Sequence, residues 1–202
     1  MLVLRKVLGY CTLSFFLVAC IIGCISKFTV NLADLFKSLT NVENILNFAA
    51  SWVFELVFFI IIAIMAIVAL ATFHKLDDAK QEGQLQKLTL LFAICELAAG
   101  FLMLMAYAVS PGGIKNATPV FWLKVILPIV VIIATIVRKA AFVGKNPMWS
   151  RIMGAFTMLV MLVFGFLAIQ SGFGELHGVV QTFFIITFSL GTIFNIVSIF
   201  KK

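Results

Sequence analysis

Leu88–Val109 reads LTLLFAICELAAGFLMLMAYAV. At about 1.5 Å of rise per residue, a helix of this length crosses a hydrocarbon layer roughly 30 Å thick. One carboxylate, Glu96, stands near its middle. An ionisable group at that depth is costly unless it is neutralised, paired or hydrated, so Glu96 is the first candidate for a functional residue. Stepping by three or four places Thr89, Ala93, Glu96, Ala99, Gly100 and Met103 on one helix face. Small residues let neighbouring backbones approach, so this face is expected to point into a helix bundle and away from lipid.

The rest of the chain has the same character. Of 202 residues, 63% are hydrophobic and 11% are charged. Soluble domains lie nearer about 45–50% apolar and about 25% charged. So few charges cannot cover so much apolar surface in water. The expected fold class is an all-α polytopic membrane protein, one membrane domain over residues 1–202, with spans near 7–26, 52–73, 88–109, 120–137, 152–169 and 179–200. The first run has a basic start and a Leu17-Val18-Ala19-Cys20 box like that of a cleaved lipoprotein leader. Ile21, Ile22 and Gly23 continue the apolar run past that box, so it is read as an uncleaved span. In the fourth span, Pro128 removes a backbone hydrogen bond and is expected to kink the helix.

Residues 31–50 differ in texture. Leu32, Leu35, Phe36 and Leu39 share a face, with Asp34, Lys37 and Ser38 turned away, and Val42, Ile45, Leu46 and Ala49 extend the pattern. Asn31 and Asn41 are expected N-caps. This reads as an amphipathic segment between the first two spans, either lying in the headgroup layer or covering a cavity.

Basic residues set the orientation. With the N-terminus inside, eleven of them fall on the cytoplasmic side and four (Lys27, Lys37, Lys115, Lys124) on the other. That is a positive-inside bias, and an even span count then puts both termini in the cytoplasm. Trp52, Trp122, Trp149 and Tyr107 fall at span ends, as an aromatic belt requires. The formal net charge of +7 is spent on topology, in short clusters between apolar runs, so no nucleic-acid partner is expected. The four cysteines lie in apolar segments without C-x-x-C spacing and read as small core residues.

Polar groups inside the spans are the candidate site. Glu55 lies about one turn into the second span, and Lys124 enters the fourth from the same side. They read as rim charges or as a gate, and Lys124 meets Glu96 only by reaching inward against its preference for headgroups. In the last span Thr187, Gly191, Asn195 and Ser198 form a small polar stripe that either glues helices or lines a water path. The substrate- or ion-binding candidates are therefore Glu96, Asn195, Thr187, Lys124 and Glu55. No catalytic residue, metal ligand or cofactor is expected: H-E-x-x-H, G-x-S-x-G and glycine-rich phosphate loops are missing. His177 sits in a turn-like stretch with nothing to orient it as a base.

The leading expectation is a small transport protein or channel, or the membrane-embedded substrate-binding subunit of a transporter, in the plasma membrane. Its partners would be the lipid bilayer, an unidentified small molecule or ion, and other membrane subunits or further copies of the chain. The alternative is a non-catalytic assembly or scaffold subunit. The two separate on whether Glu96 faces a hydrated cavity or a dry helix contact. A third and less favoured reading, an intramembrane enzyme, requires Glu96, Cys95 or His177 to converge with another reactive group in one pocket. In size, span count and orientation the chain resembles the vitamin-binding subunits of energy-coupling-factor transporters, a likeness of architecture that carries over no binding residue.

Overall fold

The computed structural model describes residues 2–30, 33, 36, 37, 39–169 and 176–200, and these form an all-helical bundle with no strand among them. Its long helices are α1 (Leu2–Phe28), α2 (Val42–Lys75), α3 (Asp78–Val109), α4 (Pro119–Phe142), α5 (Pro147–Ala168) and α6 (His177–Ile199). All six are long and apolar enough to cross a membrane.

Two helices begin well before the hydropathy pattern suggests. The segment 42–50 is not a separate surface helix but the opening of α2. Asn41 caps it by accepting the Asn44 amide at 2.8 Å. The helix then passes through a wide π turn, Ala49–Phe54, into Glu55–Thr72. Phe48 stacks on Trp52 at 5.5 Å between centroids, and Trp52 Nε1 donates to the Lys27 carbonyl at 2.9 Å, which ties this early stretch to α1. Asn31, Leu32, Asp34, Leu35 and Ser38 of the expected amphipathic segment lie outside the described residues. Similarly, α3 starts at Asp78 and not at Leu88. Asp77 caps it, and the Lys80 amide, at 2.9 Å, holds the Asp77 carboxyl below the usual carboxylate range. The polar residues Gln81, Glu82 and Gln86 are buried in these added turns, because partner groups await them there. α4 runs without a break through Pro128, starting from a Thr118 cap with Pro119 in its first turn and ending in a π turn at Arg138–Phe142.

Helices adjacent in sequence pack on one another, and α6 returns to α1, so the six close into a ring. α3 leans into it and also touches α1 and α5. Because directions alternate, the starts of α1, α3 and α5 share one end with the close of α2, α4 and α6. We call this the Arg5 end and its opposite the Lys27 end.

The centre is an aromatic cluster. Phe92 of α3 lies 4.4 Å from Phe184 and 5.4 Å from Phe188 of α6, centroid to centroid. Phe16 of α1, Phe59 of α2 and Phe164 of α5 complete the cluster. All six rings are buried. Each such pair adds about 0.5–1.5 kcal/mol beyond simple burial. Glycine makes the close packing feasible at the α1 contact: a Cβ at Gly23 would stand 2.6 Å from the Phe59 ring. The outward faces carry exposed Ile64, Ile67, Ile133, Ile136 and Phe166. Such an apolar exterior is consistent with a multi-pass membrane protein.

Candidate functional site

Between the aromatic cluster and the Lys27 end lies a cavity of about 80 Å³. By the same measure one water needs about 10–15 Å³, so there is room for several waters or a few heavy atoms. α3 presents Glu96, Ala99, Gly100 and Met103 to it, the face picked out by helical spacing. α2 contributes Ser51 and Glu55, α4 Phe121 and Lys124, α5 Phe164 and Ala168, and α6 His177 and Gln181. The small Ala99, Gly100 and Ala168 leave the space, while Phe164, also packed on Phe92 at 6.2 Å, closes the floor.

The charges are arranged in opposition. Lys27, near the end of α1 and 1% exposed, pairs with Glu55 and donates to the Ser51 carbonyl at 2.5 Å. That carbonyl belongs to the π turn, a distortion that often marks functional positions. Glu96 is half-buried at mid-helix and lines the cavity. It lies within electrostatic reach of Glu55, Lys27 and Lys124. Two carboxylates therefore face two ammonium groups in and beside one chamber.

The neutral polar groups sit on α6. His177 Nε2 lies 3.2 Å from the Ala168 carbonyl. A carbonyl only accepts, so Nε2 carries the proton and a neutral ring leaves Nδ1 as an acceptor. Gln181, one helical turn on, is 6% exposed, and its Oε1 has no hydrogen-bond partner among the described residues. Leaving such a buried acceptor unsatisfied costs about 1–3 kcal/mol, which a bound donor would recover. Ser51 Oγ donates to the Asn47 carbonyl at 2.6 Å and so is not poised as a nucleophile. Among the described residues, no three His, Cys, Asp or Glu side chains converge as metal ligands. The chamber is equipped for hydrogen bonding and charge pairing.

Glu96, Glu55 and Lys124, singled out from sequence, thus line one cavity. Lys124, half-buried, is among its lining residues, and Glu55 is engaged by Lys27. Thr187 and Asn195 do not line it. Both are fully buried deeper along α6 and bond to their own helix, Thr187 Oγ1 to Phe183 O and Asn195 Nδ2 to Gly191 O, each at 2.8 Å. Asn195 Oδ1 presses on α5, where a Cβ at Gly154 would lie 2.5 Å from it. Their stripe is a helix contact. Ser51, His177 and Gln181 were missed. Continuing the buried face of α6 backward from Phe184 by three and then four residues reaches Gln181 and His177, so a signal for them existed.

The Arg5 end holds a second buried polar cluster, which charge counting had assigned to topology alone. Arg5 is fully buried. Its guanidinium donates to Asp78 Oδ1 (2.6 Å), Gln81 Oε1 (2.8 Å), Ser198 Oγ (2.8 Å) and the Asp78 carbonyl (3.0 Å), with Glu82 Oε1 at 3.4 Å. Arg151 of α5 donates to the same Glu82 oxygen (2.9 Å) and to the Ser198 carbonyl (2.6 Å). Gln81 Nε2 donates to the Phe73 and Leu76 carbonyls. α1, α2, α3, α5 and α6 are laced together there. No family model, curated protein or solved structure matches the chain.

Proposed function

We propose that the chain is a membrane-embedded binding protein for a small polar solute, acting in its transport either alone or as the substrate-binding subunit of a larger transporter. It sits in the plasma membrane with both ends cytoplasmic, and the chamber at the Lys27 end faces outward. The concentration of basic residues at the Arg5 end supports that orientation. The observation that carries the functional reading is the chamber around Glu96, with an acceptor on Gln181 that none of the described residues satisfies.

The chemistry on offer selects the solute. Glu96, Gln181 Oε1 and His177 Nδ1 accept hydrogen bonds, and Lys124 supplies a positive charge opposite. The matching ligand is small and rich in donors, such as a short amine or a polyol. The phenylalanine cluster beneath the chamber argues against an open pore, and passage requires those rings to part. A scaffold role needs no chamber at all, and a dry contact at Glu96 would have favoured it.

Purified protein in phosphatidylcholine vesicles should take up a labelled short amine or polyol saturably, above protein-free vesicles. Glu96→Gln should cut that uptake at least about tenfold, the scale of one charge-assisted contact, while the melting temperature in detergent stays unchanged. Uptake equal to that of empty vesicles for all solutes offered, or unaltered in the folded variant, would overturn the reading.

A further inference from the structure

A different cavity, about 270 Å³, opens between α3 and α4 at the Arg5 end. Lys87, Arg138 and Lys139 line it, together with Gly83, Gln86, Leu90, Thr135 and Val143, and among the described residues no acid does. Arg138 is 6% exposed. Its Nε donates to the Ser150 carbonyl at 2.7 Å, and among the described residues its guanidinium forms no ion pair with a carboxylate. Glu82 is the acid whose charge reaches it. That carboxylate is already shared by Arg5 and Arg151, so it does not balance a third guanidinium. A buried cation without its own counter-ion, flanked by two lysines, is a site built for an anion.

The surroundings say what kind. Lys87 and Leu90 also line a neighbouring groove of about 240 Å³ with Met65, Leu91 and Ile94, all apolar. A cationic chamber thus runs into an apolar channel along α3, on the outside of the bundle. We propose that this composite site binds an anionic phospholipid of the leaflet at the Arg5 end. The phosphate seats against Arg138, Lys87 and Lys139, and an acyl chain follows Met65, Leu91 and Ile94. Basic pockets between spanning helices recognise phosphate headgroups in this manner. Arg138 supplies the planar fork suited to phosphate oxygens, prepositioned by its bond to Ser150. Space for the headgroup is real, since a Cβ at Gly83 would meet nothing within 4 Å.

Native mass spectrometry of the full chain in an uncharged detergent, with phosphatidylglycerol or phosphatidylcholine of the same chains added, tests this. Phosphatidylglycerol should be retained in preference. Lys87→Gln and Lys139→Gln, both exposed positions, should each weaken its retention about fivefold, the equivalent of about 1 kcal/mol per basic residue near a lipid surface. Gly83→Leu fills open space without touching a charge and should abolish retention while preserving the fold. Inorganic phosphate should not displace the lipid. Equal retention of the two lipids, wild-type retention in the three variants, or displacement by inorganic phosphate alone would each overturn the assignment.

Discussion

At the Arg5 end, Arg5, Asp78, Gln81, Glu82, Arg151 and Ser198 meet at 2.6–3.4 Å, and none of them lines either cavity described at that end. At the Lys27 end, Glu55, Glu96, Lys124, His177 and Gln181 surround a cavity, and Gln181 Oε1 has no partner among the described residues. Both clusters put charge inside an apolar bundle. In the first, the donors and acceptors consume each other, which holds helices in register but leaves nothing to offer a ligand. In the second, space and an unspent hydrogen bond remain. Buried charge alone is therefore a poor marker of function. Room enclosed between the polar groups distinguishes the two; an unsatisfied acceptor by itself does not, since Asn195 Oδ1, in the contact of α6 with α5, also lacks a hydrogen-bond partner among the described residues.

Three substitutions press on that contrast. The largest effect is expected from Arg5→Leu, which strips Asp78 and Glu82 of their shared cation. Removing one partner of a buried ion pair costs about 3–5 kcal/mol. The variant should melt far below the parent in detergent, and survival at the parent's melting temperature would refute a structural role for the network. Next comes Gln81→Leu, which breaks the bond from Arg5, takes the side-chain donor from the Leu76 carbonyl and leaves the Phe73 carbonyl with the Leu76 amide. A loss of about 1–3 kcal/mol is expected, read by denaturant titration. The smallest stability effect belongs to the chemically identical change at the other end, Gln181→Leu. It removes an acceptor that has no partner, so stability should stay within about 0.5 kcal/mol of the parent or rise slightly. Solute uptake should nonetheless fall. Equal destabilisation by the two glutamine variants would erase the distinction drawn between the ends.

The sequence could be read for much of this, and its failures have definite causes. Six apolar runs announced six helices, because length and hydropathy are properties of each segment alone. Glu96 stood out for the same reason. The helix starts at Val42 and Asp78 were hidden because their first turns are polar or amphipathic, and hydropathy cannot see that Gln81 and Glu82 have partners waiting on α1 and α5. Thr187 and Asn195 were correctly placed on an inward face of α6, yet a helical repeat says nothing about which neighbour that face meets or at what depth. Gln181 lay on the same face nearer the chamber, where helix spacing and packing against α3 and α5 leave space.

What the chain by itself determined is therefore the set of helices, the asymmetry of positive charge between their ends, and the presence of an acid where lipid would not tolerate one. These follow from transfer energies and helical periodicity, which need no knowledge of neighbours. Only the tertiary structure decided that Lys27 takes Glu55, that Arg5 knits the opposite end, and that Glu96 meets a cavity with Lys124 and Gln181. Such outcomes depend on distances between residues as far apart as Arg5 and Ser198, and on where packed side chains stop short of filling space.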